Sequence, residues 1–349
     1  MPLRATEPPQ SDPTPIFEHF RAGFASNLLI AAVAHFRLFD ALSQGALTWP
    51  DLRAALGLEE RPAIVLTTAL RAMWLVVRDA AGLFTLSPLA LEQLAPGGYF
   101  SIADYLGLAG EAPAVLELVD RLRSNRPANS VDKDAGAAFI YKEGMESAME
   151  HEASARQLTL ALAGRAKNVA PVLAERLSPC SGVLLDVGGG TGIYSIALVQ
   201  RNPGLRAIVL DRPEVLRVAK EFVESYGVAD RVELREGDMF TAQYPEADFV
   251  LLSNILHDWD VEDCKALVRK SAECLKPGGR LLIHDVLLND LLDGPLAVAC
   301  YSAQLFTLTE GRAYSAAEYR SWLVDAGLEA GDFVPTLAHC HVVSASTDR

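Results

Sequence analysis

The sequence has little of several features that mark particular classes of protein. Its five cysteines are scattered without C-x-x-C spacing, so we expect reduced thiols, as in a cytosolic protein, and no disulfide framework. Lysine and arginine number 31 against 45 aspartates and glutamates, and this negative balance argues against nucleic acid as a partner. No apolar run reaches membrane-spanning length without charge, and the N-terminus has no signal-peptide pattern. These absences predict a soluble, cytoplasmic protein without a membrane partner.

Several catalytic signatures are also absent. The sequence contains no G-x-S-x-G nucleophile elbow, no H-E-x-x-H zinc motif and no P-loop. His339 and His341 share one face of a predicted terminal strand, but no third ligand lies nearby in the sequence. Packing of that strand is therefore the favoured interpretation, and we predict no metal site.

The composition allows two domains. Half of the 349 residues are hydrophobic, which provides for a sizeable core and makes global disorder unexpected. Residues 1–15 are rich in proline and predict a loose arm. The pattern of residues 16–170 is mainly helical, whereas residues 171–349 alternate between apolar strands and amphipathic helices.

The helical domain has a pattern typical of a winged-helix unit. Ile16–Leu42 predicts a helix, and its stretch Leu28–Phe39 is almost wholly apolar, so it must be buried in this chain or against another subunit. Thr48–Leu56, capped by its first residue, and Pro62–Val76 predict further helices, and Leu83–Leu86 predicts a short β wing. Later helical patterns occupy Ile102–Leu122, Phe139–Leu162 and Ala163–Leu177. Because Pro62–Val76 carries few basic residues, dimerisation or a lid is favoured over DNA binding.

Strands and helices alternate regularly in the second domain. After a first strand near residue 183, the predicted strands are Ala207–Leu210, Val232–Leu234, Phe249–Leu252 and Arg280–Leu288. The predicted helices are Ile193–Val199, Glu214–Tyr226, Glu262–Leu275 and Ser315–Ala326. This alternation predicts an α/β domain with a parallel sheet, which Leu328–Val334 and His339–Ser344 would close as a final hairpin.

The stretch Val183–Leu198, VLLDVGGGTGIYSIAL, predicts a strand, a glycine turn and a helix. This is how a doubly wound domain opens its nucleotide site, because glycines let the backbone approach a ligand and the helix N-terminus presents free N–H groups. A dinucleotide fingerprint would place its third glycine where this chain has Ile193, and it does not require Asp186. The departure favours a nucleoside with a charged tail. The alternative is a turn that serves only helix–strand packing.

The carboxyl ends of the predicted strands carry further polar residues. Ligands bind at these ends in open α/β sheets. Asp211 lies about 20 residues beyond the glycines, where a carboxylate can accept both ribose hydroxyls. Asp238 is followed by Met239 and Phe240. The carboxylate of Asp238 could accept a hydrogen bond from an exocyclic amine, and the ring of Phe240 could cover the face of a purine. The fourth strand ends in Ser253 and Asn254 and runs into His257-Asp258-Trp259, after which Asp260 predicts a helix cap.

These segments together resemble a known family. LLDVGGGTG, IVLD followed by Arg212-Pro213, GDMF, ILHDW and LKPGGRLLI resemble class I S-adenosylmethionine-dependent methyltransferases. More narrowly, the chain is similar to the small-molecule O-methyltransferases that include the caffeate and acetylserotonin enzymes. The resemblance extends from about Ile16 to Val343. It implies a Rossmann-like doubly wound domain that binds S-adenosylmethionine, a mainly helical winged-helix dimerisation domain, a homodimer and no metal cofactor.

The resemblance also implies roles for individual residues. Gly188, Gly190 and Gly192 would surround the methionine half of the cofactor, and Ser253 stands where relatives often have lysine or arginine for its carboxylate. Arg156 is a second candidate for that carboxylate. The full set of implied cofactor contacts is Asp186, Gly188, Gly190, Gly192, Asp211, Arg212, Asp238, Met239, Phe240, Ser253, Asn254 and Arg156. The implied acceptor pocket comprises Tyr141, Met145, Met149, Tyr301, Gln304 and Phe306, whose mostly aromatic and thioether side chains suit a flat apolar molecule.

His257 stands where the family has its general base. A phenol has a pKa of about 10, so a positioned imidazole could take its proton as the methyl group is transferred. The alternative for His257 is a local hydrogen bond at the start of the following helix. Relatives usually carry a G-x-E-R-T motif whose glutamate orients the base, but this chain has Ala313 in its place. We therefore expect a base that lacks a carboxylate partner, and C- or N-methylation or a non-methylating reaction stays open.

The sequence thus predicts an S-adenosylmethionine-dependent O-methyltransferase that acts on a hydroxyl of a small, aromatic molecule. Its helical domain also leaves open a different class of function, a ligand-sensing winged-helix regulator. The acidic balance and the carboxylates at the strand ends favour the enzyme.

Overall fold

A computed structural model describes residues 2–126 and 152–347, with side chains in the second range from residue 156 onward. The described residues form two compact units: 16–126 with 288–315, and 2–15 with 152–287 and 316–347. This division differs from the predicted boundary near residue 170, which falls inside a continuous helix. It also assigns residues 288–315 to the helical unit.

The helical unit begins with short helices and a hairpin. Its elements are α1 (Thr14–Arg21), α2 (Gly23–Ala34), α3 (Leu38–Ser43), α4 (Trp49–Leu56), α5 (Glu60–Ala72), β1 (Val76–Arg78), β2 (Phe84–Leu86), α6 (Pro88–Gln93), α7 (Ala103–Gly107) and α8 (Pro113–Ser124). The strands β1 and β2 pair antiparallel, with Val76 opposite Leu86. The predicted wing is therefore present.

The N-terminal apolar pattern forms three helices, where one was predicted. The chain turns between α2 and α3 because Arg37 adopts a left-handed conformation with φ of 49°. The apolar part is buried as predicted: Leu28, Ala31 and Ala32 are fully buried. The helix α2 packs against α5, α7 and α8. Burial within the unit thus accounts for much of this apolar surface.

Other helix boundaries follow local signals. Thr48 caps α4 and accepts a hydrogen bond from the Asp51 N–H at 3.3 Å, as predicted. The predicted helix Pro62–Val76 is too long, because Trp74 is left-handed (φ 60°) and ends the turn after α5. The predicted helix Ile102–Leu122 is likewise two helices, since Pro113 starts a new helix and cannot continue the previous one.

The second unit is built around a mixed sheet. Its elements are α9 (Glu152–Leu177), β3 (Gly182–Val187), α10 (Ile193–Arg201), β4 (Leu205–Asp211), α11 (Pro213–Ser225), β5 (Val232–Glu236), β6 (Ala247–Ser253), α12 (Val261–Glu273) and β7 (Leu275–Leu288). The chain then contributes α13 (Leu296–Leu308) and β8 (Tyr314–Ser315) to the helical unit. It returns with α14 (Ala316–Asp325), β9 (Glu329–Ala330), β10 (Val334–Pro335) and β11 (Cys340–Ser346).

The order of the sheet confirms a doubly wound, Rossmann-like architecture. The strands run β10-β11-β7-β6-β3-β4-β5 in space. The pairs from β7 to β5 are parallel, and β11 joins β7 antiparallel. Because β6 and β4 flank β3, the order reverses at β3, and the carboxyl ends of these strands meet there. The helices pack in groups, α9 with α10 and α11, and α12 with α14.

Two features of the C-terminal half differ from the prediction. The expected strand Leu328–Val334 is reduced to the short strands β9 and β10, which pair with β11. The helix α13 was not predicted, because its sequence is apolar on nearly all sides and has no amphipathic period. It packs against α5 and α2. None of the helices in the described ranges combines the length and apolarity needed to cross a membrane.

Candidate active site

The glycine turn forms an open cradle at the carboxyl end of β3. Gly188, Gly190 and Gly192 have φ values of 66°, 59° and 70°, which side chains with a Cβ rarely adopt. A Cβ at Gly188 would lie 2.6 Å from Ile255 Cδ1, whereas a Cβ at Gly190 would meet no heavy atom within 4 Å. The turn therefore needs glycine both for its conformation and for its close packing. It leaves open space beside Gly190.

Two carboxylates face this turn. The Oδ2 atom of Asp211 accepts the Gly190 N–H at 2.8 Å, and its Oδ1 atom accepts the Arg212 N–H at 2.7 Å. Burial nevertheless raises the pKa of Asp211 to about 6. Asp186 is fully buried, and its Oδ2 atom accepts the Ser195 hydroxyl at 2.7 Å. Its Oδ1 atom has no hydrogen-bond partner among the described residues, and burial raises the pKa of Asp186 to about 7.

The end of β5 lies beside the same turn. Asp238 Oδ1 accepts the Phe240 N–H at 2.8 Å, which shapes the loop, and its Oδ2 atom is 4.0 Å from Arg212 Nη2. The Met239 methyl group lies near Gly188. The Phe240 ring meets the Trp259 ring edge-on, with centroids 4.7 Å apart. The structure thus brings together the predicted cofactor residues of β3, β4 and β5.

The end of β6 lies beside the start of α10. Ser253 Oγ is 2.8 Å from His284 Nδ1. Burial lowers the pKa of His284 to about 3, so this imidazole is neutral at physiological pH. The Asn254 amide donates to Ser253 Oγ at 3.2 Å and to the Tyr194 hydroxyl at 3.4 Å. Both predicted residues of β6 therefore lie at the site, but neither contributes a charge.

The structure does not bring Arg156 to these strand ends. Its guanidinium is exposed and binds the Glu221 carboxylate on α11 at 2.6 and 3.0 Å. Arg165 reaches the site in its place: Nη1 donates to Asn254 Oδ1 at 2.8 Å and Nη2 lies 2.9 Å from Cys340 Sγ. The two arginines are about 2.5 turns apart on α9 and therefore face opposite sides of the helix. Arg165 belongs to no motif in the sequence, and only the face of α9 on which it lies brings it to the site.

His257 lies in a short 3-10 turn, Leu256–Asp258, and is buried. Its Nδ1 atom is 2.5 Å from Asp285 Oδ1, and its Nε2 atom is 3.6 Å from Asp258 Oδ1. Burial disfavours the imidazolium, but Asp285 and Asp258 together outweigh it and raise the pKa of His257 above its ordinary value. Burial raises the pKa of Asp258 to about 6. At Asp285 the attraction of His257 outweighs burial and lowers the carboxyl pKa.

This geometry corrects the expectation that His257 lacks a carboxylate partner. Asp285 lies on β7, the parallel neighbour of β6, and fixes the imidazole from its Nδ1 side. Ala313, which replaces the family glutamate, is fully buried in the helical unit, and its N–H donates to Ser302 Oγ at 3.2 Å. The sequence signal for Asp285 was available, since Asp285 and the adjacent His284 are the two polar residues inside the strand LLIHDVLL.

The predicted acceptor residues lie partly on α13. Tyr301 and Gln304 are three residues apart, so they share one face of the helix, and both are half-buried. The Tyr301 ring lies 3.8 Å from the Arg21 guanidinium carbon. Phe306 is fully buried, with the Arg61 guanidinium above its ring at 4.5 Å, and contributes to the core of its unit. Tyr141, Met145 and Met149 lie outside the described residues.

A cavity of about 340 Å³ lies elsewhere in the sheet unit. Its lining includes Leu184, Leu205, Phe249 and Arg280, from the amino-terminal parts of four strands. It is thus at the opposite edge from the carboxylates described above. No group of three or more potential metal ligands that could hold an ion occurs within 2–126 or 152–347.

Comparison with known proteins identifies the family to which the chain belongs. An O-methyltransferase domain family matches residues 117–329. A 3-hydroxy-5-methyl-1-naphthoate 3-O-methyltransferase of Streptomyces sahachiroi is 31% identical over 328 residues, 92% of this chain and 91% of that protein. An L-tyrosine C(3)-methyltransferase of Streptomyces lavendulae is 29% identical, covering 86% of this chain and 83% of that protein.

One solved structure is similar to this protein over almost the full length of both chains. It is an O-methyltransferase family 2 protein from Planctomyces limnophilus in complex with apigenin, 45% identical, with a TM-score of 0.89 and 99% of each chain covered. Together with the family match over more than half of the residues, this likeness confirms the resemblance drawn from the sequence motifs. The chain belongs to the O-methyltransferase family of S-adenosylmethionine-dependent methyltransferases.

Proposed function

We propose that the protein transfers the methyl group of S-adenosylmethionine to a hydroxyl of a small aromatic molecule, with His257 as the general base. The observation that carries this proposal is the buried His257–Asp285 pair, which lies at the end of the strand next to the glycine turn. The acceptor class draws support from the relatives, since one is described as a hydroxynaphthoate O-methyltransferase and another was solved with apigenin, which is a polyphenol.

The residues at the strand ends fit S-adenosylmethionine. The open cradle at Gly190 and the buried, unpartnered oxygen of Asp186 provide space and an acceptor at the turn. Asp211 would hold the ribose hydroxyls, while Asp238, Met239 and Phe240 would hold the adenine. When bound, the cofactor supplies a sulfonium methyl group that is already activated for transfer. The protein's main task is then to align the hydroxyl and exclude water.

The arrangement of His257 suits proton removal. The carboxylate of Asp285 accepts a hydrogen bond from Nδ1–H of His257. The neutral imidazole therefore carries its proton on Nδ1, and Nε2 is the basic nitrogen. The carboxylate also stabilises the imidazolium that forms when Nε2 takes the hydroxyl proton. A general base of this kind contributes about a hundredfold or more to the rate. The raised pKa of His257 increases its basicity, although it also requires a pH high enough to keep it neutral.

We also propose a pocket for the methyl acceptor and a homodimer. Tyr301 and Gln304 on α13, with Tyr141, Met145 and Met149, would contact the aromatic acceptor. The helical unit exposes large apolar side chains, and among them Phe20, Trp74, Tyr99 and Tyr105 are 71–94% exposed. Apolar exposure on this scale supports dimerisation of two copies through the helical domain.

The test combines calorimetry with product analysis. We expect micromolar binding of S-adenosylhomocysteine and its loss in Asp211→Ala. Screening of phenols with labelled S-adenosylmethionine should identify an acceptor, and His257→Ala should lower turnover at least a hundredfold while Asp260→Asn, which preserves a helix cap, should not. Unchanged turnover in His257→Ala would reject the histidine base. Absence of cofactor binding in the wild type would reject the proposed reaction.

A second reaction of the same site is C-methylation of a phenol. It is favoured by the relative described as an L-tyrosine C(3)-methyltransferase. A deprotonated phenol carries negative charge on its ring carbons as well as its oxygen, so the same base could serve both reactions. Nuclear magnetic resonance of the product separates an O-methyl from a C-methyl group. Because the chain belongs to a family of enzymes, O-methylation and C-methylation are both favoured over the alternative function of a ligand-sensing winged-helix regulator.

A further inference from the structure

The residues at the end of β6 carry no positive charge. Ser253 is hydrogen-bonded to His284, and burial keeps that imidazole neutral. Asn254 carries no charge. If the adenosine half of the cofactor lies over β5 and β4, at Asp238 and Asp211, then the order β5-β4-β3-β6 places the methionine half over β3 and β6. Its α-carboxylate would therefore meet a strand end without a cation of its own.

Arg165 reaches this strand end from α9. Its guanidinium donates to Asn254 Oδ1 at 2.8 Å and lies 2.9 Å from Cys340 Sγ at the start of β11. Asn254 in turn contacts the Tyr194 hydroxyl, and Tyr194 is the second residue of α10, directly after the glycine turn. Asn254 and Cys340 thus hold the guanidinium of Arg165 close to the glycine turn, to which it is connected through the side chains of Asn254 and Tyr194.

The electrostatic influence of Arg165 extends across the same region. Burial raises the pKa of Tyr194 and Asp258 and lowers that of His284, and the positive charge of Arg165 makes a smaller, lowering contribution to all three. Arg156, the candidate chosen from the sequence, lies on the opposite face of α9 and binds Glu221 of α11.

We propose that Arg165 binds the α-carboxylate of the methionine moiety of S-adenosylmethionine, in place of the lysine or arginine that relatives carry at the position of Ser253. This inference rests on the proposed cofactor.

A matched pair of ligands tests the assignment. S-adenosylmethionine and its decarboxylated analogue differ only in the carboxylate. By calorimetry, Arg165→Met should bind S-adenosylmethionine about 10- to 100-fold more weakly, the effect of losing a charge-assisted hydrogen bond, and should bind the decarboxylated analogue with unchanged affinity. Arg165→Lys should recover part of the loss. Arg176→Met, at an exposed site near the end of the same helix, is the matched control and should change neither affinity.

The other outcomes would overturn the proposal. Equal losses for both ligands would make Arg165 a residue that maintains the fold of the site, and an effect of Arg156→Met confined to the carboxylated ligand would return the role to that residue. A rise in KM confined to acceptors that carry a carboxylate would assign Arg165 to the acceptor instead. If the wild type binds neither ligand, the proposed function itself fails. Arg165→Gln and thermal unfolding of each variant distinguish loss of binding from loss of folding.

Discussion

The imidazole of His257 and the carboxylate of Asp285 lie 2.5 Å apart, between Nδ1 and Oδ1, although 28 positions separate them in the chain. The first follows β6 and the second lies on β7. Because these strands are parallel neighbours, residues near their carboxyl ends meet. The side chains are buried, 5% and 1% exposed, so their interaction is less screened than one at the surface would be. Asp285 thus gives His257 the carboxylate partner that it was expected to lack because of Ala313.

Asp285→Asn should lower turnover and change its pH dependence. The rate should rise with pH as His257 loses its proton, with a midpoint above the ordinary histidine pKa because Asp285 and Asp258 raise it. Removal of one carboxylate lowers the pKa of His257, so the rising limb should move to lower pH. The maximal rate should fall at least about tenfold, because the imidazolium loses its partner. The measurement is a profile of kcat/KM against pH.

Asp260→Asn is the matched control for that profile. It removes an acidic residue three positions from His257 but keeps a side-chain oxygen for the Asp263 N–H. Its profile should match that of the wild type. A limb that stays in place in Asp285→Asn would show that His257 does not govern the rate.

Cofactor binding should weaken as the pH falls through about 6. Ribose hydroxyls donate to the ionised form of Asp211, and burial raises the pKa of this carboxyl to about 6 in the absence of ligand. Protonation therefore competes with binding. The affinity for S-adenosylhomocysteine should be about tenfold lower at pH 5 than at pH 8, one pKa unit below the midpoint. Asp211→Asn should bind weakly at both values, and an equal pH dependence in this variant would assign it to another group.

Alanine substitutions in the glycine turn should separate strain from packing. At Gly190 only the left-handed backbone penalises alanine, so the free energy of unfolding should fall by about 1–2 kcal/mol. At Gly188 the same penalty applies and the new methyl group would meet Ile255 Cδ1 at 2.6 Å, so a larger loss is expected. Urea unfolding measures both. Equal losses at the two positions would show that Ile255 moves aside without cost.

Asp260→Ala should destabilise the protein by about 1 kcal/mol. Asp260 Oδ1 accepts the Asp263 N–H at 2.9 Å and caps α12. Alanine leaves that N–H without its side-chain partner, whereas Asp260→Asn preserves the acceptor and should cost only a few tenths of that amount. Urea denaturation of the two variants gives the comparison. A loss of the same size in both would mean that the charge of Asp260, and not its capping oxygen, matters.

Local patterns in the sequence predicted much of the sheet unit. The glycine turn, the cap at Asp260 and the strand-end carboxylate of Asp211 all depend on residues that are close in sequence, and the structure confirms each of these positions. The helical unit was predicted less well. Its apolar pattern showed burial but not the breaks, which arise where Arg37 and other residues adopt left-handed conformations.

The sequence alone determined the family, the alternation of strands and helices from β3 to β7, and the strand ends that carry polar residues, because periodicity and turn residues act over a few positions. Only the tertiary structure decided which side chains meet there. Asp285 became the partner of His257 because β7 pairs with β6. Arg165, and not Arg156, lies at the end of β6 because nine residues, about 2.5 turns, put the two arginines on opposite faces of one helix. Such contacts depend on packing between segments distant in the chain, which no local pattern encodes.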